Sequence, residues 1–410
     1  MRLCKTIDRP SYLKKLRAWK DDRLIKAVIG PRRSGKSVLF SLYRDELKQS
    51  GVASENIIAF NLEDYAQLAL TDPRALHEAV LEAACDPRQQ YYVFIDEVQA
   101  CREFERVVSS LALRENIDLY ITGSNARLLS GDLATLLSGR YVSIEMMPLS
   151  FAEFRSAVAE DGLSADEDFR RYLKVGGFPA AVPFIAEPEK VKTYYSDLLD
   201  TILMKDIVSR LEIRNSDALM RVISALSSSI GSPVSARRLT NTLKSAGRGA
   251  AVTNVTVGNY LKALEDAFFC YRAQRFDVKG NQFLSAEEKY YLCDHGFRQM
   301  LVNARAADVG HVIENIVYLE LRRRYLKVAV GKAGAHEIDF VARSGDDVAY
   351  FQVAQSVMAE ETLARELSAF EAVRDNYPKT LLTLDRFGAG ANYRGVRQVN
   401  LVDWLLDTEA

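Results

Sequence analysis

One short stretch near the amino terminus constrains the fold of this chain more than any other. An apolar run at residues 25–29 leads directly into Gly30-Pro31-Arg32-Arg33-Ser34-Gly35-Lys36-Ser37, and an apolar pattern of helical spacing follows. A glycine-rich loop between a strand and a helix is the context in which a phosphate-binding P-loop forms. Glycine lets the backbone fold closely around phosphate oxygens, and the loop N–H groups and the helix N-terminus attract the anion. The stretch therefore predicts a nucleotide site.

We expect all eight loop residues, 30–37, to contribute to binding ATP. Lys36 is expected to reach the β- and γ-phosphates, and the Ser37 hydroxyl is expected to ligate Mg²⁺. Arg32 and Arg33 lie inside the loop, where they could meet phosphate or a partner. A glycine-rich turn without a ligand is the alternative interpretation.

A second motif follows the apolar run at residues 91–95, which is typical of a parallel strand buried on both faces. The run ends in Asp96-Glu97. We expect Asp96 to hold the Mg²⁺ shell and Glu97 to act as the general base on the attacking water. An acidic pair at a strand end could also be a solvated turn. The P-loop upstream in the same predicted sheet favours the catalytic interpretation.

Two further candidates lie near the next strands. The apolar run at 119–122 ends in Gly123-Ser124-Asn125. Asn125, ahead of Ser124, is expected to sense the γ-phosphate or orient water, although either residue could instead cap the following helix. Arg140 could neutralise charge that develops on the γ-phosphate, in cis or from a neighbouring subunit, or it could be a salt-bridged residue at a strand edge.

Length and composition favour a multidomain, globular, cytoplasmic protein. The chain has 410 residues, 48% hydrophobic and 27% charged, with a formal net charge of −1. At this length two or three domains are expected. The five cysteines form no C-x-x-C pair, which indicates reduced thiols and neither a disulfide framework nor a zinc site. We find no apolar run near the roughly 18 residues of a membrane span, and no secretory signal.

The alternation of strands and helices up to residue 148 predicts a parallel α/β sheet, and ligands of such sheets lie beyond the carboxyl ends of the strands. After Pro148, a capping box at Ser150 and Glu153 opens a mainly helical region. The predicted domains are a P-loop ATPase domain (1–148), a helical lid or linker (149–215), a winged-helix domain (216–300) and a C-terminal α/β domain (301–410).

The predicted winged helix contains three helices and two wing strands, with Lys279-Gly280-Asn281 as the turn between the strands. Residues 231–290 carry nine Lys or Arg and five Asp or Glu, a local charge of +4. Such a surface could face a DNA duplex, but winged helices also pack against proteins. DNA and a protein therefore both remain candidate partners.

The last segment carries the outline of a restriction-type nuclease site. Glu314, Glu337 and Asp339 are followed by Gln352-Val353-Ala354. Metal-dependent cleavage needs clustered carboxylates and a lysine, and here glutamine and alanine occupy two of the expected positions. We therefore expect a nuclease-like fold kept for binding or packing.

These motifs together resemble a prokaryotic family of AAA-type ATP-binding proteins with a C-terminal domain of unknown function. The resemblance covers nearly the whole chain and implies an ASCE-type ATPase domain, a winged helix and a degenerate restriction-nuclease-like domain. Besides the P-loop, the matching stretches are Phe94-Ile95-Asp96-Glu97-Val98-Gln99, Ile121-Thr122-Gly123-Ser124-Asn125, Leu137-Ser138-Gly139-Arg140-Tyr141, Pro148-Leu149-Ser150-Phe151, Lys289-Tyr290-Tyr291-Leu292-Cys293-Asp294, Glu314-Asn315-Ile316-Val317-Tyr318 and Glu337-Ile338-Asp339-Phe340-Val341.

The resulting hypothesis is a Mg-dependent ATPase whose nucleotide state changes the contacts of its downstream domains. Expected partners are ATP and ADP, double-stranded DNA or a protein, and an ATP-dependent homo-oligomer. A slow, nucleotide-gated regulatory or defence-type switch and an ATP-dependent nuclease are the alternatives.

Overall fold

The computed structural model describes residues 6–126, 139–208, 216–245, 252–302, 309–334 and 336–407. The chain divides into two compact units. One is formed by Met1–Pro148 with Asp266–Phe268, and the other by Leu149–Glu265 with Phe269–Ala410. The helix predicted up to Leu137 lies outside the described residues, apart from its first position. No helix in the described ranges is long and apolar enough to span a membrane.

The first unit alternates strands and helices as the sequence predicts. Its elements are α1 (Pro10–Ala18), β1 (Ile25–Ile29), α2 (Lys36–Gln49), β2 (Ile57–Asn61), α3 (Pro73–Ala83), β3 (Tyr91–Asp96), α4 (Phe104–Leu111), β4 (Ile117–Gly123) and β5 (Tyr141–Glu145).

The five strands form one parallel sheet in the order β2-β3-β4-β1-β5. Strand β4 therefore lies between β1, which leads into the P-loop, and β3, which ends at the acidic pair. The register pairs Ile29 with Gly123 and Asn61 with Asp96. Because all strands are parallel, their carboxyl ends meet at one edge, which we call the P-loop edge.

Burial of the central strands explains their unbroken apolar runs. Every residue of β1, β3 and β4 is buried. Helix α2 covers one face of the sheet, where Phe40 and Tyr43 pack edge-on against Phe94, with ring centroids 5.1 and 6.3 Å away. Phe94 in turn stacks on Tyr120 at 4.7 Å. This aromatic core fixes the start of α2, and hence the P-loop, against β3 and β4.

The second unit begins with helices and continues into a large sheet. Its elements are α5 (Phe151–Ala157), α6 (Ala165–Val175), α7 (Pro188–Thr201), α8 (Ser216–Ser228), β6 (Pro233–Val234), α9 (Ala236–Ser245), α10 (Asn254–Asp266), β7 (Cys270–Asp277), β8 (Gln282–Leu292), α11 (Gly296–Leu301), α12 (Val309–Arg324), β9 (Lys327–Ala333), β10 (His336–Ser344), β11 (Asp347–Ala354), α13 (Glu360–Ser368), β12 (Lys379–Thr383), β13 (Asn392–Tyr393), β14 (Val396–Asn400) and α14 (Leu401–Leu406).

Nine strands of this unit form one sheet in the order β13-β14-β12-β11-β10-β9-β7-β8-β6. Strands β9, β10 and β11 form an antiparallel meander, and β12 adds in parallel to β11. Because β7 pairs with β9 in parallel, the sheet continues across the predicted boundary between residues 300 and 301. The domain boundaries predicted from the sequence therefore stay predictions.

The predicted capping box is confirmed. The Ser150 N–H donates to Glu153 Oε2 at 2.8 Å, and the Glu153 N–H donates to Ser150 Oγ at 3.2 Å. Helix α6 ends at Val175, and the following residue, Gly176, adopts a φ of 82°. A Cβ on Gly176 would lie 2.0 Å from the Tyr195 hydroxyl. A side chain would therefore disturb the hydrogen bond from that hydroxyl to buried Asp294.

The segment predicted as a winged helix has the predicted order of helices α8, α9 and α10 followed by the hairpin β7-β8. Ser235 caps α9 by accepting the Arg238 N–H at 3.1 Å. The turn at residues 279–281 includes Asn281 at a φ of 48°. The short strand β6, which pairs with β8, was not predicted. The winged-helix assignment itself stays a prediction.

Candidate functional site

The loop at the P-loop edge has the backbone geometry of a tight anion-binding turn. Gly30 has a φ of 151° and Gly35 a φ of 101°. At Gly30 a Cβ would lie 2.0 Å from the carbonyl oxygen of Met146, so only glycine fits there. Gly35 precedes α2, which begins at Lys36, and Arg33 also adopts a left-handed φ of 64°. The first N–H groups of α2 therefore face the concave side of the loop.

Lys36 is buried, with 3% of its surface exposed. Its ammonium donates to the carbonyl oxygens of Gly30 at 3.1 Å and Pro31 at 3.0 Å, and it lies 3.7 Å from Glu97 Oε1. The lysine is thus folded against the loop in the position from which it would reach phosphate oxygens. Ser37 is exposed at the start of α2.

The Ser34 hydroxyl provides a test of whether the loop fits a phosphate. Ser34 is fully buried, and among the described residues its Oγ has no hydrogen-bond partner. An unsatisfied buried hydroxyl costs about 1–3 kcal/mol. A phosphate oxygen in the loop would accept this hydrogen bond, so the residues present fit the phosphates of a nucleotide.

Arg9 supports the loop from outside and was not predicted from the sequence. It is 2% exposed. Its guanidinium donates to the carbonyl oxygen of Ser34 at 3.0 Å and to that of Met147 at 2.6 Å. The only available sequence signal was an arginine directly before the proline that begins α1.

Asp96 and Glu97 lie at the end of β3, and both are anchored by Thr122 of the neighbouring strand. The Thr122 hydroxyl donates to Asp96 Oδ1 and accepts the Glu97 N–H at 2.8 Å. Glu97 adopts a left-handed φ of 51°, which is unfavourable for a residue with a long side chain. Strained residues persist where their surroundings hold them, and they concentrate at functional sites.

The two carboxylate oxygens of Glu97 have different neighbours. Oε1 faces the Lys36 ammonium at 3.7 Å. Oε2 accepts a hydrogen bond from the Gln99 side-chain amide, which also donates to Ser124 Oγ at 3.2 Å. The carboxylate is therefore held at the mouth of the loop, where a general base for an attacking water would lie.

The remaining predicted residues are placed differently. Asn125 is 7% exposed and follows β4 at the P-loop edge, next to the hydrogen bond from the Gly30 N–H to the Gly123 carbonyl. Arg32 extends to Glu63, with Nη1 3.0 Å from Oε1. Arg140 precedes β5, and its carbonyl accepts the Ile25 N–H at the amino end of β1.

The structure therefore does not bring Arg140 to the loop of the same chain. The P-loop edge and the Arg140 edge are separated by the length of a five-residue strand, about 13–17 Å. The cis alternative is not formed in this structure, and a contribution from a neighbouring copy remains a proposal.

A cavity of about 240 Å³ opens beside Ser37 and Asp96, and its lining also includes Arg44, Asn61 and Gln67. In the described part of the chain, no three His, Cys, Asp or Glu side chains are grouped to hold a metal ion. Mg²⁺ commonly relies on one or two protein ligands, waters and substrate phosphates. Ser37 and Asp96 fit that limited protein contribution.

A second cluster of charged groups surrounds a cavity of about 590 Å³ in the other unit. The structure gathers the predicted nuclease-like positions Glu314, Glu337, Asp339, Gln352 and Ala354 in its lining. The sequence prediction missed the lysine that joins them, Lys289 on β8.

Lys289 is buried, and its ammonium lies 3.1 Å from Glu314 Oε1 and 2.8 Å from Glu337 Oε1. The Tyr291 hydroxyl donates to Glu314 Oε1 at 2.7 Å. Burial, and then the charge of Glu314, raise the pKa of Asp339 to about 8, against the opposing effect of Lys289. Among these side chains Lys289 neutralises part of the carboxylate charge, and Arg275 adds a second cation, its Nη2 3.5 Å from Glu337 Oε2. We call them the Lys289 cluster.

The first unit combines a parallel sheet with a P-loop at its carboxyl edge, and comparison with known proteins identifies an AAA domain in this part of the chain. A family model described as an AAA domain matches residues 22–155, and a domain of unknown function matches residues 166–308. An uncharacterized protein of Haemophilus influenzae is 39% identical over 402 residues, which cover 98% of each chain. The chain belongs to the family of that protein.

A second relative is an uncharacterized protein of Methanocaldococcus jannaschii, 27% identical over 368 residues, covering 86% of this chain and 79% of the relative. Among solved structures, Cdc6p of Pyrobaculum aerophilum is similar at a TM-score of 0.33 and 11% identity, covering 78% of this chain and 96% of that one. AMPPCP-bound DnaA of Aquifex aeolicus is similar at a TM-score of 0.32 and 12% identity, covering 62% and 86%. Similarities this low carry no argument beyond the AAA match.

Proposed function

We propose that the protein binds ATP with Mg²⁺ at the P-loop edge and hydrolyses it. The single observation that carries the proposal is the convergence of Lys36, Asp96 and Glu97 on one loop whose Ser34 hydroxyl is buried without a described partner. These groups supply phosphate binding, a metal ligand and a general base, the parts that phosphoryl transfer to water requires.

Each residue then has a defined task. The Lys36 ammonium exchanges its carbonyl partners for β- and γ-phosphate oxygens, and the Ser34 hydroxyl donates to phosphate. Asp96 and Ser37 hold Mg²⁺, which neutralises charge on the phosphates when bound. Glu97 Oε1 accepts a proton from the attacking water. At the same time the water oxygen forms a bond to the γ-phosphorus, and the bond between that phosphorus and the ADP oxygen breaks.

Four further residues have proposed supporting roles. Asn125 senses the γ-phosphate from the end of β4. Arg32 and Arg33 meet phosphate or a partner from within the loop. Arg140 acts on the site of a neighbouring copy, which requires an ATP-dependent homo-oligomer. Mass measurement with and without ATP tests that assembly, and a monomer under both conditions contradicts the role of Arg140.

Phosphate release by the purified protein tests the main proposal, with Lys36→Ala and Glu97→Gln as variants. We expect Mg-dependent release by the parent, loss of both binding and release in Lys36→Ala, and retained ATP binding in Glu97→Gln with release about 10²–10⁴-fold slower. A parent that binds ATP but releases no phosphate would leave only the alternative, a nucleotide-gated switch with a protein partner.

A second candidate function is contact with double-stranded DNA by the second unit. A shallow groove of about 450 Å³ runs along α9 and includes Arg237, Arg238 and Asn241. The described residues that line the groove include no carboxylate, and all carry hydrogen-bonding side chains. Such a surface suits phosphate oxygens of a nucleic-acid backbone.

Retention of linear duplex DNA at several salt concentrations tests this candidate. The affinity should fall steeply with salt, and replacing both Arg237 and Arg238 by alanine should weaken binding and reduce the salt slope. Arg374→Ala removes an exposed arginine of the same unit outside the groove and serves as the control. Equal binding by both proteins contradicts DNA contact at α9.

An ATP-dependent nuclease is the least supported alternative, because Ala354 occupies the expected lysine position and Lys289 is fully engaged by carboxylates. Incubation with linear and supercoiled DNA in Mg²⁺ or Mn²⁺ tests it. Cleavage that disappears in Asp339→Ala would establish this activity against our expectation.

A further inference from the structure

Gln99 is a polar residue that lies beside the proposed general base, Glu97. It lies in the 3₁₀ turn Val98–Ala100, directly after the left-handed Glu97. Its amide Nε2 donates to Glu97 Oε2 and, at 3.2 Å, to Ser124 Oγ. The Gln99 amide therefore links the Glu97 carboxylate, which follows β3, to Ser124, which follows β4.

The carbonyl end of the same side chain argues against a role in packing alone. Gln99 Oε1 is buried, and within the described ranges no donor lies within hydrogen-bond distance. A buried carbonyl without a partner costs about 1–3 kcal/mol, a cost that methionine of similar length would avoid. The amide is therefore unfavourable for stability unless its donor group serves another purpose.

Within the described ranges, that donor has one charged acceptor, Glu97. A carboxylate at the end of a flexible side chain has several rotamers, and only some direct an oxygen toward the loop. With Oε2 held by Gln99, Oε1 is left on the side of Lys36, 3.7 Å from its ammonium. A base oriented by a third group is the general arrangement by which enzymes fix such side chains.

We propose that Gln99 is a positioning residue for hydrolysis: its amide fixes the Glu97 carboxylate so that Oε1 faces the attacking water, and it couples this orientation to Ser124 at the end of β4. The proposal rests on the proposed ATPase function and deepens it. The described hydrogen bonds of Gln99 go to Glu97 and Ser124 and not to the P-loop, so its loss should leave ATP binding in place. The ordered base is needed only for the chemical step.

The test compares kcat and KM for ATP among the parent, Gln99→Met, Gln99→Asn and Gln99→Glu. Methionine removes both polar atoms at nearly constant length, and asparagine keeps the amide but shortens its reach. Glutamate keeps the length but places a second negative charge against Glu97. Loss of an outer-shell partner that orients a metal ligand typically costs about 10–100-fold in activity, and we expect a similar factor for a residue that orients a general base. We expect kcat to fall by about that factor in all three variants, most in Gln99→Glu, with KM and ATP binding within about twofold.

Gln90→Met is the matched control, because Gln90 is exposed and lies just before the opposite end of β3. Its kcat and KM should equal those of the parent. A parent-like kcat in Gln99→Met and Gln99→Asn overturns the positioning role while leaving the ATPase intact. A parallel loss of ATP binding and kcat in these variants indicates a structural role and equally contradicts it. A parent without turnover is a different outcome, which removes the proposed function and this inference with it.

Discussion

The protein contains two sites in which a buried lysine meets carboxylates, and they differ in how completely their groups are paired. At the P-loop edge, Lys36 rests on backbone carbonyls and lies 3.7 Å from Glu97. In the other unit, Lys289 is held by Glu314 at 3.1 Å and Glu337 at 2.8 Å. The first lysine donates to backbone carbonyls that a phosphate can replace and has Glu97 at a longer distance, whereas the second has two carboxylates within 3.1 Å.

This difference indicates which of the two sites is arranged to bind a ligand. The P-loop edge carries two energetic costs, the buried Ser34 hydroxyl without a described partner and the strained backbone of Glu97, and a bound phosphate would relieve the first. The Lys289 cluster instead uses its lysine as an internal counter-ion. We therefore expect substitutions in the Lys289 cluster to change stability, and substitutions at the P-loop edge to change nucleotide binding or turnover.

The largest expected effect on stability comes from Lys289→Met. The substitution leaves Glu314, half-buried beside Asp339, without its ionic partner among the described residues, while Glu337 keeps Arg275 at 3.5 Å. Removal of one partner of a buried ion pair typically costs about 3–5 kcal/mol. The change should appear as a lower urea midpoint, followed by Trp404 fluorescence in a Trp19→Phe background so that one tryptophan reports.

Lys327→Met is the control for that measurement. Lys327 is exposed at the start of β9 in the same unit, so its loss should change the free energy of unfolding by no more than about 0.5 kcal/mol. If Lys289→Met unfolds at the parent's midpoint, the lysine is not the counter-ion of the cluster.

The second prediction concerns the pH dependence of the same unit. The folded-state pKa of Asp339 is raised to about 8 by burial and by Glu314, so the folded protein binds this proton more tightly than the unfolded chain. The resulting stabilisation is fully present below the ordinary carboxyl pKa of about 4 and is lost as the pH rises through about 8. The free energy of unfolding of the parent should therefore fall as the pH rises from about 6 to about 9.

Asp339→Asn should make this loss smaller, because asparagine does not titrate. Urea midpoints of the parent, Asp339→Asn and the exposed control Asp346→Asn at both pH values measure the effect. The control should keep the parent's pH dependence, and an equal dependence in all three proteins would show that Asp339 is not its source.

The smallest expected effect is at Ser34. Ser34→Ala removes a buried hydroxyl without a described partner, so the nucleotide-free protein should be as stable as the parent or more stable, by up to about 1 kcal/mol. ATP should bind several-fold more weakly, because about 1 kcal/mol of phosphate hydrogen bonding is lost. Thermal unfolding with and without ATP measures both effects. Ser156→Ala is the control, because it removes only the hydrogen bond from the Ser156 hydroxyl to the Glu153 carbonyl within α5.

The parts that could be predicted from sequence are those that local patterns determine. The loop at 30–37, the acidic pair after β3 and Asn125 after β4 all follow apolar strands, and the parallel sheet brings such positions to one edge. Arg140 is the instructive exception. It precedes a strand, and the amino ends of parallel strands lie at the opposite edge.

The parts that could not be predicted depend on pairings between distant segments. Lys289 was assigned to a wing strand, and nothing local relates it to Glu314 or Glu337. The pairing of β7 with both β8 and β9 brings β8 into the same sheet as the meander that carries Asp339. Thr122 and Gln99 were visible in matching stretches, but their hydrogen bonds to Asp96 and Glu97 require the register of β3 and β4.

One measurement tests the central claim, that ATP is hydrolysed at the P-loop edge and not at the Lys289 cluster. The same substitution is made in each site, Glu97→Gln and Glu314→Gln, and Mg-dependent phosphate release is compared with the parent at equal concentrations of folded protein. We predict that Glu97→Gln lowers kcat by at least about 100-fold and that Glu314→Gln keeps the parent's kcat. Parent-like turnover in Glu97→Gln together with its loss in Glu314→Gln would contradict the account.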